Sequence, residues 1–309
     1  MINALLFAGA VLIWGSTWYA IDKQLGVVDP AVSLTYRYAI AAALMFGWCL
    51  VRGLPLQFPR RAHAVFALLG LFLFALNYLA AYEAQFYISS ALNAIGFSSM
   101  LWMNILNARL LLGRRASASV YWGAALGIAG ILIIFLPEVQ SLALDDRVLL
   151  GLGLSLLGAL LASLGNIASQ AAQGMRLPVV QTNAWGMLYG AVCNALLATG
   201  MGKTFNFDPS LDYMLSLLYL AVFGSVVAFS CYLTLLGRVG LERAGYAAVM
   251  IPMVALALSV ALEGLEVGSH IIAGLAIALA GNVFVLTRST PAPLVPDPRL
   301  INDMEDSNA

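Results

Sequence analysis

Residues 119–137 read SVYWGAALGIAGILIIFLP, and residues 268–287 read GSHIIAGLAIALAGNVFVLT. Neither stretch contains Lys, Arg, Asp or Glu. A helix of about 20 apolar residues crosses a bilayer, so each stretch reads as one transmembrane span. The two stretches also match each other. A shift of 151 residues lays Gly123 on Gly274, Ala129 on Ala280 and Gly130 on Gly281, and carries Gly113 onto Gly264. Gly123, Gly127 and Gly130, with Gly274, Ala278 and Gly281 opposite them, read as small-residue seams that let helices approach closely.

Working outward, the chain holds ten apolar segments, at about 3–20, 31–51, 63–82, 90–111, 119–137, 148–170, 178–199, 211–235, 244–263 and 268–287. Breaks such as Asp29-Pro30, Gly113-Arg114-Arg115 and Asp208-Pro209 separate them. Period-2 alternation is absent, which argues against a β-barrel. Hydrophobic types make up 62% of the chain and charged types 10%, with a mean hydropathy of +0.91. Soluble domains carry about 25% charged residues, so this mixture cannot build a surface for water. The reading is an all-α integral membrane protein with ten transmembrane helices in two five-helix repeats, residues 1–140 and 141–288. Five is odd, so the halves face opposite ways, an inverted-topology repeat with its site expected near the midplane. Residues 289–309 hold four prolines and four acids and read as a disordered cytoplasmic tail.

Lys and Arg set the orientation. With the N-terminus in the cytoplasm, ten fall on the cytoplasmic side and three, Lys23, Arg147 and Lys203, outside. Both termini are therefore placed in the cytoplasm of a cell (inner) membrane. The first apolar run reads as retained: no Lys or Arg precedes it, and Trp18 and Tyr19 stand where a small-residue cleavage pair would be needed.

The zero net charge argues against a nucleic-acid partner. Cys49, Cys193 and Cys231 lie in apolar runs without metal spacing, and His63 and His270 fall at opposite faces. No nucleophile elbow or phosphate loop is present, so neither an enzyme nor a cofactor is expected. The expected partners are the lipid bilayer and a small organic solute; the sequence sets no oligomeric state.

The opening IWGST, the second-segment run SLTYRYAIAAALM and the stretch FGSVVAFSCYLTLLGRVGLERAGYAAVMIPMVALALSVALEGLEV at 223–267 resemble the drug/metabolite transporter superfamily, EamA-type branch. The resemblance covers residues 3–287. It implies a secondary transporter that exports small metabolites, amino-acid-like or otherwise neutral or zwitterionic. Leu101 and Arg115 depart from that family's first-half pattern, which the second half follows at Pro252 and Glu266. The alternative is a non-transporting multi-pass protein, an intramembrane enzyme or assembly factor.

Candidate solute contacts follow from polar and aromatic residues inside apolar helices. Asn93, Phe97, Met100, Asn104 and Asn107 recur at steps of 4, 3, 4 and 3 and share one helix face. Their amides either line a path or bond neighbouring helices. The 151-residue shift sets Ala244, Ala248, Ile251 and Ala255 opposite Asn93, Phe97, Met100 and Asn104, which predicts a pocket with its free volume on the Ala248 side. Pro252 removes a donor in mid-helix. Asn77, Tyr78, Asn166 and Ser225 are further contacts. Trp14 lies too deep for the interfacial belt and is placed in the cavity, whereas Trp18 is read as an anchor in that belt. Arg37 is expected to form a structural ion pair with Glu83, or else to serve as an outer gate or anion-binding arginine. Glu263 is a second acid at the outer mouth. With no carboxylate near the midplane, transport is expected to be facilitative or coupled through Glu83 or Glu263.

Overall fold

The computed structural model describes residues 2–113, 116–134, 136, 140, 146–263 and 268–288. Arg115, Glu266, the side chain of Glu263 and the expected tail 289–309 lie outside the described residues. Among those described, the chain is helical throughout. The first half comprises α1 (Ile2–Asp22), α2 (Pro30–Val51), α3 (Arg60–Ala84), α4 (Ser90–Ser98 and Met100–Leu112) and α5 (Ala118–Ile134). The second comprises α6 (Asp146–Gly174), α7 (Val179–Gly200), α8 (Leu211–Val239), α9 (Ala247–Glu263, after one turn at Leu241–Ala244) and α10 (Ser269–Arg288).

Local chemistry sets the ends. Asp29 caps α2 by accepting from the Ala31 N–H at 3.0 Å, with Pro30 in the first turn where a missing N–H costs nothing. Ser89 caps α4 through the Leu92 N–H at 3.2 Å. Gly113, at φ 63°, ends α4 in the left-handed region that favours glycine. Lys203 ties the α7–α8 loop to the α2 cap, its Nζ 2.8 Å from Asp29.

Among the described residues, six helices, α1, α2, α3, α4, α6 and α8, are long and apolar enough to cross a membrane by length and composition. Ala118–Ile134 and Ser269–Gly281 are shorter apolar helices. Helix α7 is diluted by buried Gln181, Thr182, Asn183 and Asn194, the last donating to the Phe74 carbonyl of α3 at 3.0 Å. Leu5, Leu12, Leu50, Leu110, Trp122 and Leu196 are exposed on the outside, an apolar exterior suited to lipid and to an integral membrane protein.

Two helices carry a π-helical stretch, Gly70–Leu76 in α3 and Leu220–Val227 in α8. The 151-residue shift carries 70–76 onto 221–227, so the two sit at the same place in each half. The packing has the same correspondence. Helix α5 lies on α10, α2 on α7, α1 on α8 and α9, and α6 on α3 and α4. Exchanging the halves turns each of these pairings into itself or another of them. On the α5–α10 seam, a Cβ on Gly130 would meet the Gly274 carbonyl oxygen at 2.5 Å, and one on Gly281 would meet that of Gly123 at 2.8 Å. The small residues there are required by backbone contact.

Candidate functional site

The indole of Trp14 shows how the centre is built. Its Nε1–H donates to the Gly224 carbonyl in α8 at 3.1 Å, so the polar tip of a deep tryptophan is satisfied inside the bundle. Its ring lies edge-on to Phe229 at 4.9 Å and tilted against Tyr232 at 5.0 Å. Gly15, the next residue, has no room for a side chain: a Cβ would sit 2.5 Å from Val254 in α9. Helix α1 is thereby held against α8 and α9, with Trp14, Thr17, Trp18 and Ile21 turned inward.

These residues form one wall of a cavity of about 70 Å³. The other walls are Leu73, Asn77, Tyr78 and Ala81 of α3, Ala94, Phe97 and Met100 of α4, and Ala162 and Asn166 of α6. Phe229 and Tyr232 of α8, with Ala248 and Ile251 of α9, complete it. Three helices come from each half. Aromatic and aliphatic surface dominates, with two amides among it. Asn166 in α6 donates through Nδ2 to the Tyr232 hydroxyl at 3.1 Å and to Asn104 Oδ1 at 3.3 Å. The buried oxygens Asn77 Oδ1 and Asn166 Oδ1 have no hydrogen-bond partner. A cavity with unspent acceptors suits a solute that brings its own donors.

Trp14, Asn77, Tyr78, Phe97, Asn166 and Ala248 all lie on the cavity. Met100 joins them from the expected α4 face, but the face does not act as a unit. Helix α4 breaks at Ser99, where the Ser98 and Ser99 hydroxyls bond back to the Ile95 and Gly96 carbonyls, each at 2.6 Å. Asn93 is buried in a helix contact instead, donating to the Ala81 carbonyl at 2.7 Å. Ser155 of α6 donates to the Asn93 carbonyl at 3.0 Å. Asn107 donates to Ser163 at 2.9 Å. Asn104 stands behind Asn166 and reaches the cavity only through it.

Pro252 is buried outside the lining; by removing its N–H it leaves the Ala248 carbonyl, one turn earlier and on the wall, without its helical donor. Ser225 is also off the wall. Its hydroxyl donates to the Leu220 carbonyl five residues back at 2.9 Å, closing the π-helical stretch of α8.

Two expectations need correction. Trp18 does not anchor the helix end: it lines the cavity with its ring edge-on to Phe97 at 5.4 Å. The belt rule reads depth alone, and here the Trp18 ring packs inside the bundle against Phe97. Arg37 does not pair with Glu83. It is fully buried, donating through Nε to Ser225 at 2.9 Å and through Nη1 to the Tyr82 hydroxyl at 3.4 Å. Its guanidinium lies over the Tyr78 and Tyr38 rings at 4.5 and 5.3 Å. Tyr82 in turn donates to Gln24 at 2.8 Å. Glu83 remains half-buried at the end of α3, near the Asp29–Lys203 pair.

Ile251 lines the cavity from the wall that the 151-residue shift set opposite Met100, whereas sequence reading missed the inward faces of Phe229 and Tyr232. Tyr232 carried a signal, a phenol in an apolar helix that needs a partner. Among the described residues no group of His, Cys, Asp or Glu could hold a metal ion.

Comparison with known proteins agrees with this architecture. The chain is 28% identical to the "Uncharacterized inner membrane transporter YedA" of Escherichia coli (strain K12), over 82% of this chain and 80% of that protein. It is 22% identical to the "Uncharacterized transporter YoaV" of Bacillus subtilis (strain 168), over 79% and 83%. It is 23% identical to "Protein PagO" of Salmonella typhimurium, over 86% and 87%. A solved crystal structure superposes with a TM-score of 0.75 at 19% identity, covering 92% of this chain and 96% of that one, which places the two in one fold. The model of the EamA-like transporter family matches residues 1–136 and 149–287, and with nearly the whole helical chain so covered, the protein belongs to that family, the EamA branch of the drug/metabolite transporters, and is a transporter and not an enzyme.

Proposed function

We propose that the chain is a secondary transporter that moves small organic metabolites by alternating access, with export as its direction. The solutes are amino-acid-like or otherwise neutral or zwitterionic. The observation that carries this reading is the aromatic, amide-bearing cavity walled by three helices of each half. Ligand sites commonly measure about 300–1,000 Å³, and one water needs about 10–15 Å³. A cavity of about 70 Å³ therefore holds a few waters, and a solute needs the walls to part.

The proposed architecture is ten membrane spans in two inverted repeats, residues 1–140 and 141–288, with both termini and the segment 289–309 cytoplasmic. Support comes from the exchange-symmetric helix pairings, the matched π-helical stretches and the two matched regions of the family model. Inverted repeats give the outward- and inward-open forms related packing and similar energy. A π-helical stretch loosens the backbone ladder, so α3 and α8 each have a place to bend beside the cavity. The relatives named as inner membrane transporters support an inner-membrane setting. Among the described residues no lining residue is charged, so the reading keeps transport facilitative, or coupled at the outer mouth through Glu83 or Glu263.

Counterflow tests the proposal. Purified protein in liposomes preloaded with a mixture of unlabelled amino acids and small metabolites should accumulate labelled members of its solute class transiently. Uptake equal to that of empty liposomes across the mixture would defeat it.

A further inference from the structure

Near the cavity, Arg37 is a charged residue that neither the packing nor the lining explains. Its guanidinium is buried within α2, and among the described residues the sole ion pair is Lys203–Asp29, on the outer loop. Its partners are neutral: the Ser225 and Tyr82 hydroxyls and the faces of Tyr78 and Tyr38. A buried cation without a counter-charge is costly, and cation–π contact offsets only part of that. One end of the fork is also unspent, since Nη2 has no hydrogen-bond partner.

The direction of that free end is marked by Gly224. A Cβ added there would lie 3.4 Å from Arg37 Nη2 and 3.0 Å from Thr17 Cγ2. Thr17 and Tyr78 both line the cavity. The free Nη2 thus lies against the glycine backbone at 224, next to Thr17 and Tyr78, two residues that line the cavity. That nitrogen, a charged donor with two N–H groups, can make charge-assisted hydrogen bonds to a carboxylate oxygen.

We infer that Arg37 is a binding residue for the carboxylate of the transported solute, reached past Thr17 and Tyr78 beside Gly224. This deepens the transporter reading and rests on it. An ammonium group on the same solute finds the unpartnered oxygens of Asn77 and Asn166, both cavity-lining residues. The charge of the solute completes Arg37, and the aromatic walls take its apolar body.

The test separates carboxylate recognition from transport. Binding of leucine, leucinamide, 4-methylpentanoate and 4-methylpentanamide to the full-length purified protein is followed by tryptophan quenching, since Trp14 and Trp18 face the cavity. The expected result is that each acid binds at least tenfold tighter than its amide, with or without the amino group. Arg37→Gln should remove that difference. Gly224→Val, which leaves Arg37 in place but fills the space against Nη2, should remove it too, and the wild-type comparison needs no variant at all. Equal binding of acid and amide by the wild type, a preference that survives both substitutions, or no binding of any of the four overturns the inference. Counterflow of labelled leucine is run on the same preparation. Transport without a carboxylate preference sinks the Arg37 site alone. A carboxylate preference without counterflow of any solute sinks the transporter reading and leaves the site standing.

Discussion

Trp14 does two things at once: its N–H fastens α1 to α8 and its ring walls the cavity. Trp14→Phe separates them, keeping an aromatic wall while orphaning the Gly224 carbonyl. Interhelical hydrogen bonds in membranes are worth about 0.6–2 kcal/mol, so a loss of about 1 kcal/mol is expected. Thermal unfolding of the purified variant measures it, and an unchanged midpoint would show that the bond carries no weight. Ala248 is the opposite case, a small buried residue on the wall with no polar role. Ala248→Trp should fill the cavity and stop counterflow while the protein still inserts and purifies; full transport by that variant would contradict the placement of the site. These two residues were legible beforehand for physical reasons. A deep indole must find an acceptor, and the half-chain shift set an alanine opposite Phe97. Asn93 and Arg37 were not. A buried amide satisfies its need equally well on a path or on a helix neighbour, and Asn93 found the Ala81 carbonyl. The partners of Arg37 are hydroxyls and rings drawn from three helices, which no spacing along the chain marks.

At the scale of elements, the α5–α10 seam and the π-helical stretches carry opposite duties. The seam is rigid because glycine backbones touch: the Gly130 and Gly274 positions each face the other's carbonyl oxygen at 2.5 Å from an added Cβ. Gly130→Leu must push the helices apart. Overpacking costs about 1–3 kcal/mol, and here backbone, not a movable side chain, is in the way. The expected outcome is a lower unfolding temperature and reduced yield, with carboxylate binding by the folded fraction unchanged because no α5 or α10 residue lines the cavity. A change in binding specificity at unaltered stability would tell against a purely structural seam. The seam could be read from sequence, since a glycine repeated in register has few other uses in an apolar helix. The π-helical stretches could not: GLFLFAL is apolar throughout, LAVFGSVV is apolar but for Ser225, and their extra backbone residue per turn has no compositional mark.

For the whole molecule, the distribution of charge is the deciding quantity. Among the described residues the cavity wall contains no Asp, Glu, His, Lys or Arg, and Arg37 stands near it as a buried cation. Proton-driven carriers commonly move protons through buried carboxylates or histidines, and this wall offers neither. A solute held by one carboxylate on Arg37 and one ammonium on amide oxygens would leave the loaded and empty carriers differing by no net charge. The membrane potential, worth about 2.3 kcal/mol per elementary charge per 100 mV, would then act equally on both. Proteoliposomes with an imposed potential, and separately with an imposed pH gradient, test this directly. Exchange rates should be insensitive to the potential, and a pH gradient should not drive steady accumulation of a zwitterion above its equilibrium level. If a gradient does drive it, Glu83→Gln and Glu263→Gln together should abolish the effect, because these acids at the outer mouth are the proposed coupling groups. Gradient-driven accumulation that survives the double substitution would refute both the facilitative and the outer-mouth readings, and would require a proton path through groups that line no part of this cavity.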